Sequence, residues 1–255
     1  MIHLKKPEEL NLMRTSGRIA AEILRKVASA VRPGITTREL DKLAEELIFS
    51  YAKKYEKGAL THAFKGYQGF PGVLCSSVNE VIVHGIPDDM PLKEGDNVGL
   101  DFGVIFKGWY SDTAVTVPVG EVSFETQRIL RVCKKALRLG IKKAKQGSTT
   151  GDIGNTIERF VEDQGYDIVR NLCGHGIGKN LHEEPEVPNF GKRHRGVKLE
   201  PGMVIAIEPM IVQGKARLAI RKDGQGYEAP RGALTAHFEH TVAITEKGPE
   251  ILTDI

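Results

Sequence analysis

A chain of 255 residues, 40% of them hydrophobic, is long enough to bury a substantial core without disulfides or a structural cofactor. Its 36 basic residues stand against 33 acidic ones, a net charge of +3, which is too even a balance for a nucleic-acid protein. No apolar run approaches membrane-spanning length, and the charged start (Lys5, Lys6, Glu8, Glu9) excludes a signal-peptide core, so no membrane role is expected.

From Pro7 to about Val31 apolar residues recur at helical spacing (Leu12, Ile19, Ile23, Val27), and Pro33-Gly34 ends the segment. Thr36 or Thr37 then caps a second helix running to about Lys54. Val73 to Ser77 and Val81 to His84 read as strands, and Asn97 to Phe106 with Trp109 to Val117 as a hairpin turning at Lys107-Gly108. Phe124 to Lys145 is amphipathic, with Ile129, Val132, Leu137 and Ile141 on one face. Gly147 breaks it, and Thr149 or Thr150 caps the helix that follows. The basic run Lys192, Arg193, His194, Arg195 reads as a solvated loop, and Val204 to Val212 and His237 to Thr245 as the last strands. This order predicts an α+β fold with helices packed outside one curved sheet. Cys75, Cys133 and Cys173, an odd number at unrelated spacings, are expected to be reduced thiols in a cytoplasmic protein.

The two halves, roughly 1–120 and 121–255, repeat one another, and a single catalytic domain over 1–255 is expected. GITTRELDKLAEELI from Gly34 matches GSTTGDIGNTIERFV from Gly147; LKEGDNVGLDF from Leu92 matches LEPGMVIAIEP from Leu199; SDTAVTV from Ser111 matches FEHTVAI from Phe238. Asp101 therefore falls in register with Glu208, and Asp112 with Glu239. In the hairpin, Asp101 and Asp112 share a face and lie opposite or one diagonal step apart, within about 8 Å. Packed about a pseudo-twofold axis, all four acids converge, and four carboxylates in one place repel unless cations neutralise them.

His175, flanked by Gly174 and Gly176, shares its His-Gly-Ile frame with His84 and is the nitrogen-ligand candidate; Glu183 and Glu184 read as solvated acids after a loop. His3, His62, His194, His237 and His240 receive no role. Four carboxylates and one imidazole form a hard, mostly oxygen site suited to manganese, iron, cobalt or zinc, and acid-rich hydrolase sites of this kind hold two metals.

At these residues the chain resembles the type I methionine aminopeptidases: VNEVIVHGIP, LDFGVIFKGWYSDTAVT, CGHGIGKNLHEEP, IAIEPM and HFEHT are similar to that family's motifs in order, over nearly the whole length. The resemblance implies the pita-bread fold and a dinuclear centre held by Asp101, Asp112, His175, Glu208 and Glu239. Asp112 and Glu239 would bridge the metals, with Asp101 completing one site and His175 with Glu208 the other. It also implies removal of the initiator methionine from nascent polypeptide N-termini when the second residue is small, in a monomer that associates transiently with ribosomes. Glu208 is expected as general base, His182 as donor to the scissile carbonyl oxygen, and His84 as a contact to the amide beyond the scissile bond. The methionine pocket would involve Phe64, Tyr67, Phe70, Cys75 and Leu181, and a sodium or potassium ion would sit at Asn79, Val81 and Thr235. The chain departs from the family pattern at Phe64, where a cysteine is common, at Leu181, where an aromatic is common, and at Gln225, where a tryptophan often covers the pocket.

Two other readings share this fold. Proline-specific peptidases follow the second-half glutamate with Pro-Gly and carry an extra N-terminal domain. This chain has Pro209-Met210 and is expected to be the short form, without such a domain or a zinc-finger extension. A non-catalytic binding module would have lost ligands, yet all five positions are filled. Because the chain opens Met1-Ile2, with a bulky second residue, it is expected to retain its own methionine.

Overall fold

A computed structural model of the chain describes residues 2–254; Met1, and with it the expectation of a retained methionine, lies outside them. The first two helices are α1 (Pro7–Ala30) and α2 (Thr37–Ala52). Glu9 accepts the Lys6 backbone N–H at 2.8 Å to start α1, while Thr36 and Glu39 form a reciprocal capping box on α2. Five strands follow: β1 (Leu60–His62), β2 (Leu74–Val78), β3 (Val81–Val83), β4 (Asn97–Phe106) and β5 (Trp109–Pro118). The second half opens on α3 (Phe124–Lys143), capped by Ser123, and α4 (Thr150–Asp163), capped by the Thr149–Asp152 box. Then come β6 (Asp167–Ile168), β7 (Gly174–Gly176), β8 (Glu183–Val187), β9 (Val204–Ile207), β10 (Met210–Val212), β11 (Ala219–Ile220), β12 (Tyr227–Glu228), β13 (Thr235–His237), β14 (Glu239–Thr245) and β15 (Gly248–Ile251). The expected caps resolve to Thr36 and Thr149, and the basic loop at 192–195 is exposed as expected.

One antiparallel, curled sheet runs in the order β1-β4-β5-β14-β9-β7-β8, with β2 added to β4 and β15 to β14. Two small sheets, β13-β10-β6 and β11-β12-β3, stand beside it. Each helix pair has its own core. Ile19, Ile23, Val27, Leu40 and Ile48 pack on Leu74, Val98, Leu100 and Phe102 in the first half. In the second, Ile129, Leu137, Ile153 and Ile157 pack on Ile205, Ile207, Val242 and Ile244. Burying such side chains is worth about 1.5–3 kcal/mol each, which fixes the helices on the outer face of the sheet.

Two expected strands are broken. Val204 to Val212 is interrupted at Glu208-Pro209, because proline offers no N–H to the ladder; the chain leaves the large sheet after Ile207 and re-pairs in a small one from Met210. His237 to Thr245 is interrupted at Phe238 in the same crossing, and its first part begins earlier, at Thr235. The short strands β1, β6, β7, β8, β11, β12 and β15 carry no clear alternation in the sequence.

The halves meet at β5 and β14 through a register of two pairs, Glu239 with Ala114 and His240 with Thr113. Threonine hydroxyls extend this seam. Thr241 Oγ1 accepts from Asp112 N at 3.0 Å and donates to Asp112 O at 2.7 Å, and Thr116 Oγ1 treats His237 N and O likewise at 2.9 and 2.7 Å.

Candidate metal centre

Strand register puts the acids in one row. Asp101 of β4 is opposite Ala114 of β5, and Ala114 is opposite Glu239 of β14. Residues directly opposite across antiparallel strands share a face, so two carboxylates flank one small methyl group. Asp112, two residues before Ala114, points to the same side; its own partner is Gly103, one diagonal step from Asp101 as the hairpin reading expected. Ile207 of β9 pairs with His240 of β14, and Met210 of β10 with His237 of β13, a single register on both sides of the break, so Glu208 faces Glu239 within it. Like charges in facing positions are destabilising, and this row holds four acids.

His175 reaches the row from β7. Gly174 and Gly176 let that strand lie against its neighbours: a Cβ on the first would collide with Ala206 O and on the second with Glu184 O. Nδ1 of His175 donates to Gly176 O at 2.9 Å, which leaves Nε2 facing Glu208 Oε1 at 3.7 Å as an unprotonated ligand nitrogen. Side-chain ligand atoms of Asp112, His175 and Glu239 all lie within 4.8 Å of one another. Asn189 Nδ2 holds the backbone carbonyl of Glu208 at 2.9 Å.

Electrostatics show what this arrangement lacks. Burial, reinforced by the charges of Asp112 and Glu208, pushes Asp101 well above the usual carboxylate range. Burial and Asp112 do the same to Glu239. Asp112 is raised to about 7 by burial and the Glu208 charge, and Glu208 to about 8 by burial. His175 is lowered to about 3 by burial and then by His182. Asp101 Oδ1, Asp112 Oδ1 and Glu239 Oε1 are buried without a hydrogen-bond partner. Orphaned carboxylate oxygens converging with a neutral imidazole fit divalent cations of the borderline-hard kind.

Beside the row is a cavity of about 90 Å³ lined by Phe64, Tyr67, Phe70, Cys75 and Leu181, together with His84, His182, Asp101 and Asp112. All five side chains expected to form the apolar pocket are thus gathered there. Cys75 is opposite Asp101 in the register, which explains its place at the cavity floor. Gln68 and Gln225 complete the lining, and Gln225 Nε2 donates to Gln68 O at 3.3 Å across the mouth. His84, in a left-handed conformation (φ 57°), packs edge-on to Tyr227 and is lowered to about 4, chiefly by burial. Asn79 O and Val81 O both accept from Thr235 Oγ1, at 2.6 and 3.3 Å, gathering three oxygens at the third expected site.

Two readings need correction. Glu183 is not a solvated acid: it is partly buried, bound by Lys5 at 2.9 Å and by two backbone N–H groups, because it closes the turn before β8. His237, given no role from the sequence, is buried with Nε2 3.5 Å from Glu208 Oε2 and no hydrogen-bond partner. Its position two residues before Glu239 was the available signal, obscured by the unforeseen break at Phe238.

The model of metallopeptidase family M24 matches residues 11–246. A methionine aminopeptidase of Clostridium perfringens is 47% identical over 253 residues, covering 99% of this chain and 99% of that one. Solved structures of methionine aminopeptidases from Thermotoga maritima and Rickettsia prowazekii are similar with a TM-score of 0.95 each, at 40% and 37% identity and with full coverage of both chains. The curled sheet with its two helix pairs is therefore the pita-bread fold, alike from end to end. With a family model spanning nearly the whole length and a buried acid row suited to divalent ions, the chain belongs to metallopeptidase family M24.

Proposed function

We propose that this chain is a methionine aminopeptidase that removes the initiator methionine from new polypeptides when the second residue is small. The observation that carries this reading is the closure of a small apolar cavity directly against the acid row. An unbranched thioether side chain suits a pocket of Phe64, Tyr67, Phe70, Cys75 and Leu181. A free α-amine, neutral when it acts as a ligand, would be held on the Asp101 side of the metal-loaded row, which restricts cleavage to a chain end.

Asp101, Asp112, His175, Glu208 and Glu239 would hold two divalent ions of manganese, iron, cobalt or zinc. Bound there, such a pair supplies Lewis acidity and lowers the pKa of water into the neutral range. Glu208 takes the proton from the attacking water and passes it to the leaving amine. His182 donates to the carbonyl oxygen as negative charge develops, and His84 contacts the next amide. Asn79, Val81 and Thr235 would hold sodium or potassium, which stiffens the strand leading to His84. Residues 1–120 and 121–255 act as one catalytic domain, each half supplying part of the ligand set.

To donate, His182 needs its proton on Nε2. Tyr67 Oη lies 2.7 Å from Nδ1, and a phenol donating there favours that tautomer. Nitrogen NMR of labelled protein at neutral pH should find His182 in the Nε2–H form and a tautomer mixture in Tyr67→Phe. An Nδ1–H form in the parent protein contradicts this assignment.

Manganese- or cobalt-supplemented hydrolysis of Met-Ala-Ser against Ala-Pro peptides tests the function. Release of methionine with no cleavage of Ala-Pro is expected. Preferential cleavage of Ala-Pro would make the chain a proline-specific peptidase, and inactivity of fully loaded protein on both would make it a binding module.

A further inference from the structure

Lys5 lies far from the acid row in sequence, yet its side chain is only 2% exposed. Its ammonium has one acidic partner among the described residues, Glu183 Oε2 at 2.9 Å. The other oxygen of that carboxylate accepts the backbone N–H groups of Lys179 at 2.7 Å and Asn180 at 3.0 Å. These bonds close the turn at 178–182, whose carbonyl at Gly178 is held by Tyr110 N at 2.8 Å. Leu181 and His182, both lining the cavity, project from this turn. Lys5 is itself anchored: its backbone N–H donates to Gly202 O at 2.8 Å, just ahead of β9.

A glutamate alone could cap the turn's N–H groups. What the buried ammonium adds is a fixed position for the carboxylate, since Lys5 is tied to the β9 side of the sheet and Glu183 must follow it. The turn is thereby referenced to the strand that leads into Glu208, and the donor on the turn keeps a constant distance from the base. We propose that Lys5 is a positioning residue for the hydrolytic step: through Glu183 it fixes the turn that presents His182 to the scissile carbonyl. This rests on the reading of His182 as the transition-state donor.

A double-mutant cycle on Met-Ala-Ser hydrolysis tests it, using manganese-loaded protein with bound metal and Tm measured for each variant. Lys5→Met should lower kcat by roughly 10- to 100-fold with little change in KM or bound metal, as expected for a donor displaced by about 1 Å. Lys5→Arg, which keeps the charge, should recover most of the loss. In a His182→Ala background the same Lys5→Met change should cost less than about twofold, because the group it positions is gone. An equal loss in both backgrounds overturns the proposal and leaves Lys5 a residue of the fold alone. Should His182→Ala keep parental kcat, the donor reading fails first and this inference with it, so the two failures are distinguishable. If Lys5→Met does not fold, Glu183→Gln replaces it in the cycle. It still caps the turn but loses the ion pair, and a kcat loss that persists undiminished without His182 overturns the proposal equally.

Discussion

Glu208→Gln should lower kcat by roughly 10² to 10⁴-fold while the protein stays folded. Glutamine keeps the volume and one oxygen at this position, and the backbone bond from Asn189 is unaffected, so the break between β9 and β10 is preserved. What disappears is basicity. Without cations, burial raises the Glu208 carboxyl to about 8, so this group holds a proton readily at neutral pH; beside cations it is ionised and free to accept one. An amide does neither. Turnover and bound metal should be measured together on the variant. Near-parental kcat in fully loaded Glu208→Gln protein would mean that another group takes the proton, and His237, 3.5 Å from Glu208 Oε2, would be the next to test.

Removing the metal should abolish activity altogether, and its return should restore it, because every proposed ligand binds only when deprotonated or neutral. The stripped protein carries a second, opposite signature. Asp112 and Glu208 titrate near 7 and 8 in the fold but near 4 in an unfolded chain, so between those values the folded state binds more protons. Stability of the metal-free protein is therefore highest below about pH 4 as far as these groups are concerned, and falls as pH rises toward 8. Metal reverses the sign, since cations favour ionised ligands. Thermal melts of chelator-treated protein from pH 7 to 8, above the range in which buried histidines such as His84 and His175 take up protons on unfolding and oppose the trend, should show Tm decreasing, and melts with manganese should show the decrease abolished or inverted. A metal-free Tm that rises across this range would contradict the account of the acid row as uncompensated.

The contrast between what the sequence discloses and what it hides is physical. Helices were legible because each carries both a 3.6-residue apolar period and a local stop or cap: Pro33-Gly34 and Thr36 in one half, Gly147 and Thr149 in the other. The Asp101–Asp112 geometry was legible because a two-residue turn fixes register, and register fixes the face. Convergence of the two acid pairs followed from internal repetition. The breaks at Pro209 and Phe238 were hidden, since both segments stay apolar and keep one register across the interruption; Pro209 was the one local mark. Lys5 and His237 were missed for a related reason. Their importance comes from burial against residues remote in sequence, Glu183 and Glu208, and a lone lysine or histidine in a sequence defaults to the surface or the core.

The seam at β5 and β14 has a consequence in the order of synthesis. Asp101 and Asp112 leave the ribosome long before Glu208 and Glu239, and at roughly 5–20 residues per second the interval is on the order of ten seconds. During that time the first helix pair can settle on its own core, but the Thr113–Thr116 edge of the hairpin has no partner, and its aspartates have neither Glu239 nor His175 nearby. The Asp112 carboxyl remains hydrated at an open sheet edge. The threonine hydroxyls that later clasp Asp112 and His237 then act as a latch that closes only when β14 arrives. The proposed enzyme of newborn chains would thus pass through its own infancy as an incomplete chelator, complete only once β14 is in place.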